Sequence, residues 1–289
     1  MSYRTINKII SAQKVNMGGH LLDQPLPAEG VDYIDPFLLI HHWDKAAPGG
    51  LRPQEVGVPP HPHRGFSPVT FIYKGDLQHR DSLGNNAVVR AGGTQWMHAG
   101  RGITHSERPS KEFAAKGGEN EFIQFWVNTP AAYKMEIPYY LPLSKEDTPM
   151  VKLDRAEVAV VAGTFGEITG PAKTYSPQLL LRVNAQSDAD LSIDVPPSFN
   201  ALVYLLDGEL EIDGQTVSAK DMVWLNNDAE SVHVKANTDT RFIILSGEPI
   251  DEPVQQYGPF VMNNQTEVMQ AIRDAQMGKM GVLIEEFGS

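Results

Sequence analysis

Cysteine is absent from the 289 residues. No disulfide, thiolate nucleophile or zinc–sulfur site can form, and redox chemistry leaves the compartment undecided. No apolar run reaches about 18 residues, so no helix is expected to cross a membrane. The stretch MSYRTINKIISAQKV lacks the long apolar segment of a secretory signal, and a cytoplasmic protein is the expectation. Positive charge is scarce: 24 Lys and Arg stand against 36 Asp and Glu, a formal charge of −12. An acidic chain with no Lys/Arg stripe repels phosphate backbones, so direct nucleic-acid binding is not expected. Helical periodicity is scarce too. It is confined to NQTEVMQAIRDAQMGKMG near the C-terminus, where Asn264 and Glu267 form a capping pair. Met269, Ile272 and Ala275 share a face there, and Gly278 can end the helix.

What remains is a chain of ordinary globular composition, 41% hydrophobic, long enough for two domains. Its apolar segments are short and rich in Val, Ile, Phe and Tyr: PFLLI, PVTFIY, EFIQFWV, VAVVAG, QLLLRV, ALVYLL and TRFIIL. Gly, Pro, Asn and Asp clusters separate them, the pattern of an all-β sandwich or barrel. The Pro-rich stretch from Asn128 to Met150 reads as a connector between two halves. The halves also resemble each other. VTFIYKGDLQHRD matches LVYLLDGELEIDG, with Gly75 and Gly208 as corresponding turn glycines, and Trp96 corresponds to Trp224. Duplication is the expectation.

The chemistry concentrates in two short stretches. In VGVPPHPHRGF, His61 and His63 are two residues apart, and Pro60 and Pro62 hold the backbone extended, so both imidazoles face one side. In HAGRGITHSERP, Gly100 and Gly102 make a tight turn, followed by His105 and Glu107 at the same spacing. Two neighbouring strands would bring three imidazoles and one carboxylate together, a donor set suited to a transition metal. A lone His-x-His pair is common and usually carries no such meaning; the second pair after a glycine turn makes the signal specific. The other histidines are less telling. His41 and His42 read as flanking a loop or packing near Trp43, His79 and His98 as candidates for lining a cavity, and His20 and His233 as structural or surface residues.

HPHRGF, HRDSLGN, QWMHAGRGITHSE and, near the end, EPVQQYGPFVMN resemble the pirin family of the cupin superfamily, over nearly the whole chain. The resemblance implies two cupin barrels in tandem (double-stranded β-helix, or jelly-roll) with a short C-terminal helix. The expected division is an N-terminal barrel over 1–140 and a second barrel over 141–289, with a helix-bearing tail from about 250. It further implies one divalent metal per chain in the N-terminal barrel, held by His61, His63, His105 and Glu107. Fe(II) is the first choice, with Mn, Co, Ni, Cu or Zn as alternatives. Gln124 matches a family position near the substrate pocket, which His79 and His98 would also line. The second barrel normally lacks ligands, and the stretch corresponding to HPHRGF here is VPPSFNAL, without histidine. Ser67 departs from the family, which often has Glu at that position. The implied activity is of the quercetin 2,3-dioxygenase type: a flavonol-like aromatic substrate gives up its 3-hydroxyl proton to Glu107, the oxyanion meets the metal, and dioxygen adds with loss of carbon monoxide. The alternative is a metal- or redox-sensing regulator that binds a partner protein without turnover.

Overall fold

The computed structural model describes residues 2–286. The fold is mostly β, as expected. FLLI of PFLLI lies in the strand Phe37–Ala47, PVTFIY in Phe66–Lys74 and EFIQFWV in Gly118–Asn128. VAVVA of VAVVAG lies in Ala156–Ala162, QLLLRV in Gln178–Ala185, ALVYLL in Asn200–Asp207 and TRFIIL in Thr240–Gly247. Their near-continuous apolar character reflects burial within sheet pairs, where β-branched and aromatic side chains pack well.

Two compact units form, and their make-up differs from the expected division near residue 140. One joins the residues up to His41 to Asp147–Ile250; the other joins His42–Glu146 to the residues from Asp251 onward. Each end of the chain thus belongs to the barrel distant from it in sequence. The physical reason is local. The N-terminal strand Ile6–Ser11 pairs antiparallel with Asp221–Leu225. The buried Arg4 donates to the carbonyls of Phe199, Ala229 and Pro196 at 2.7–3.1 Å. The C-terminal segment is tied down in the same way: Arg64 pairs with Asp274 at 2.9 Å, and Arg108 makes a two-pronged contact with Glu285.

In the unit containing Asp147–Ile250, one sheet includes Asp221–Leu225, Asn200–Asp207, Thr240–Gly247, Gln178–Ala185, Ala156–Ala162 and Met150–Leu153 in that order. The other sheet is Asp190–Asp194, Ser231–Ala236, Glu209–Ile212 and Gln215–Ser218. A single apolar core lies between them, with Val158, Leu181, Val203, Phe242 and Ile244 from one side and Leu191, Ile193, Leu210, Val232 and Val234 from the other.

In the unit containing His42–Glu146, the sheet order runs Tyr139–Leu143, Thr94–His98, Phe66–Lys74, Gly118–Asn128. The facing sheet is Val58–His63, Ile103–Arg108, Asp76–Asp81, Asn86–Arg90. The expected connector from Asn128 to Met150 is therefore partly structural. Tyr139–Leu143 pairs with Thr94–His98, and Pro142 is tolerated because the strand lies at a sheet edge. The expected correspondence between halves appears as strand–glycine–strand corners at Gly75 (φ 77°) and Gly208 (φ 80°), a conformation that glycine adopts without steric cost.

The helix forms at Gln265–Gln276, with the Asn264 side chain accepting from the Glu267 amide. Its buried face overlaps the expected one, since Ile272 and Ala275 pack against Phe260, Ala271 and Met280, but does not coincide with it. Val268, Ala271 and Asp274 are buried, whereas Met269 is 41% exposed. Asp274 takes an inward position because it meets Arg64, a partner invisible to apolar periodicity.

Candidate metal centre and active site

Val58–His63 pairs antiparallel with Ile103–Arg108, so that His105 lies opposite His61. Extended backbone then places His61 and His63 on one face. The nitrogens of His61, His63 and His105 all come within 4.8 Å of one another. Glu107 lies two residues further along the His105 strand. It points between the sheets, where its Oε1 accepts from Gln124 Nε2 at 2.8 Å across the barrel.

Hydrogen bonds set how each imidazole is presented. His61 Nδ1 donates to the Pro59 carbonyl at 2.9 Å, and His63 Nδ1 donates to the Pro259 carbonyl at 3.3 Å. A carbonyl can only accept, so in the neutral rings both Nε2 atoms carry bare lone pairs. Those two Nε2 atoms are 3.0 Å apart. Lone pairs repel at that distance unless a cation lies between them. Two nitrogens bound at right angles to one ion, each at about 2.0–2.1 Å, would be about 3 Å apart. The third nitrogen agrees: His105 Nε2 is buried and has no hydrogen-bond partner. The set fits a divalent metal.

Electrostatics point the same way. Burial holds the pKa of His61 below its ordinary value. Burial, then repulsion from the neighbouring imidazoles, holds those of His63 and His105 well below. Neutral imidazole is the ligating form. Burial pushes Glu107 up to about 7, against the opposing hydrogen bond from Gln124. A carboxyl tuned near neutrality can take up and release a proton at working pH.

Of the residues expected to line a pocket, Gln124 and His79 are at the site and His98 is turned to other partners. His79 Nδ1 is 3.3 Å from His105 Nδ1, and the His79 ring is stacked on Tyr140 with centroids 3.7 Å apart. His98 Nδ1 meets Ser67 Oγ at 3.2 Å, and its ring lies against Tyr139. Ser67 therefore serves His98. Phe66 and Trp126 pack edgewise on His63 at 5.1 and 5.5 Å, and with Tyr140 they give the centre aromatic walls. The reading from sequence missed Tyr140, Asp81 and Pro259.

His41 and His42 are strand residues, not loop flanks. The buried His42 lies 3.3 Å from Glu121 and, with Asp44, forms a second set of metal-ligand types. The Lys74 ammonium is 3.5 Å from Glu121 and supplies a cation of the protein's own there. His233 pairs with Asp190 at 2.8 Å, and among the described residues both metal-type sets lie in the unit of His42–Glu146.

His98 also gives a pH prediction. Burial, with a further push from Lys134 and against a hydrogen bond to the Tyr133 backbone, lowers it to about 4. The unfolded chain protonates this residue near 6.5 while the folded chain does not, so stability falls as pH drops from about 6.5 towards 4. From pH 7 to pH 5 this residue should remove about 2 kcal/mol. Denaturant titrations should show that His98→Asn loses less stability over that interval than wild type; equal slopes would contradict the assignment.

Two family models match the chain. One, described as Pirin, covers residues 20–127, and the other, described as Pirin C-terminal cupin domain, covers residues 180–281. A Pseudomonas aeruginosa protein named "Putative quercetin 2,3-dioxygenase" is 41% identical over 251 residues, 86% of this chain and 87% of its own length. Pirin-like protein 2 of Arabidopsis thaliana is 35% identical, over 97% of this chain and 86% of its own. A crystal structure of quercetin 2,3-dioxygenase from Acinetobacter baumannii superposes with a TM-score of 0.91 at 32% identity, covering 98% of this chain and all of that one. The expected two-cupin fold with its short C-terminal helix is the fold observed.

Proposed function

The chain belongs to the pirin family, and from that premise we propose that it is a metal-dependent dioxygenase of the quercetin 2,3-dioxygenase type, acting with dioxygen on a flavonol-like aromatic substrate. The observation that carries the reading is the convergence of three unprotonated imidazole nitrogens, from His61, His63 and His105, on the strand pair that also carries the near-neutral Glu107. His61, His63 and His105 would hold the ion, with Glu107 as the fourth donor or as a base. Nitrogen and oxygen donors without sulfur suit Fe(II), Mn(II), Co(II), Ni(II), Cu(II) or Zn(II); redox inertness disfavours only Zn(II), and Fe(II) is our choice on the family resemblance. A bound ion supplies a Lewis acid for a phenolate and an electronic partner for dioxygen.

The chain's own residues account for the rest. Glu107 takes the hydroxyl proton, Gln124 holds the carboxylate oriented, and the half-buried Trp126 and Tyr140 offer apolar ring surface to a planar substrate, with the buried Phe66 backing Trp126. The relatives' names support this choice of substrate class. The test is oxygen uptake by protein loaded in turn with Fe(II), Mn(II), Co(II), Ni(II) and Cu(II), over a panel of flavonols. Uptake above the free-metal control with at least one pair is expected. Uptake with none would sink the reading and favour a metal-sensing regulator that binds a partner protein.

A further inference from the structure

We infer that Asp81 and His79 are positioning residues that fix the proton of His105, so that the HRDSLGN segment belongs to the metal centre although it contributes no ligand. The inference rests on the metal reading of His61, His63 and His105.

The Asp81 carboxylate is buried and accepts four hydrogen bonds. The amides of Leu83 and Asn85 donate to Oδ1 at 2.9 and 3.1 Å. Asn85 Nδ2 and His79 Nε2 reach Oδ2 at 2.8 and 2.9 Å. A carboxylate held by that many donors is ionised and can only accept, so His79 Nε2 carries the proton. In the neutral ring His79 Nδ1 is then an acceptor. Facing it at 3.3 Å is His105 Nδ1, which must donate for the contact to be favourable. His105 Nε2 is thereby left bare, and it is the buried nitrogen without a partner. One direction of donation runs from His105 to His79 to Asp81.

The comparison with the other two imidazoles shows why the carboxylate is needed. His61 and His63 are fixed by backbone carbonyls, which cannot reverse. His105 is fixed by another imidazole, which can. Asp81 removes that freedom, and the Tyr140 ring, 6° from parallel with His79, holds the plane of the imidazole. The segment's own geometry supplies the carboxylate: Gly84 at φ 91° lets the turn close so that the amides of residues 83 and 85 converge on Asp81.

Asp81→Asn tests this with little change of shape. The amide oxygen can still accept from the backbone amides of Leu83 and Asn85, but the amide nitrogen would donate to His79 Nε2, and the Asn85 side chain, which donates to Oδ2 in wild type, would turn its own amide oxygen towards it. His79 would then carry its proton on Nδ1 and force the His105 proton onto Nε2, the wrong tautomer for a ligand. Titration with Zn(II) should show affinity lowered by about 10- to 100-fold, with the circular dichroism and melting of the metal-free variant close to wild type. Long-range ¹H–¹⁵N correlation on Zn(II)-loaded wild type should place the His79 proton on Nε2, a readout that stands even if the variant folds poorly. Equal Zn(II) affinity in Asp81→Asn, or a His79 proton on Nδ1 in wild type, would overturn the inference alone. Wild type that takes up no Zn(II) would sink the metal reading itself.

Discussion

A His105→Ala variant should be isolated with most of its metal gone. His105 offers a buried nitrogen with no other partner, so its removal deletes a ligand and leaves a void. Structural metal sites are worth about 10–16 kcal/mol. An even share among the three imidazoles is about 4 kcal/mol per ligand, on the order of a 10³-fold loss of affinity. Elemental analysis of protein purified alongside wild type measures it directly. His233→Ala is the control. That side chain pairs with Asp190 at 2.8 Å in the other unit, and its loss should leave metal content unchanged. Full metal retention by His105→Ala would remove the site assignment, and loss from His233→Ala would misplace it.

The parts of this centre that could be read from sequence share one property: they are encoded by spacing within a strand. His61 and His63, then His105 and Glu107, sit at i and i+2, and the period of a strand puts each pair on one face. Gly75 and Gly208 announce their corners because the turn demands a positive φ. The unread parts depend on contacts between remote segments. Pro259 fixes His63 across 196 positions of chain, and nothing near either residue encodes that meeting. Tyr140 sits in a Pro-rich stretch whose composition signals a connector, yet an edge strand tolerates the prolines. Asp81 stands in plain view two residues after His79, but its role depends on which way a turn closes. The exchange of chain ends between units has the same origin. Arg4 and Arg64 are buried because they meet carbonyls and Asp274 respectively, and a hydropathy pattern assigns buried positions only to apolar residues.

Replacement of Glu107 by Gln should separate its two roles. The substitution keeps size and shape, and Gln124 Nε2 can still donate to the amide oxygen that replaces Oε1. What disappears is a carboxylate tuned by burial to about 7, able to accept a proton from a phenolic hydroxyl near neutral pH. Loss of a positioned base lowers turnover by about 10²–10⁴-fold, or roughly 3–5 kcal/mol of barrier. The three imidazoles present their Nε2 atoms independently of Glu107: His61 and His63 through backbone carbonyls, His105 through its contact with His79. The variant should therefore keep most of its metal while oxygen uptake with a flavonol collapses. Both quantities are measured on one preparation, with uptake expressed per bound metal. Metal lost in step with activity would make Glu107 chiefly a ligand, because an amide oxygen is a poorer donor than a carboxylate. Metal and per-metal turnover both at wild-type levels would exclude Glu107 from the chemistry and leave its burial beside Gln124 as a structural feature of the barrel.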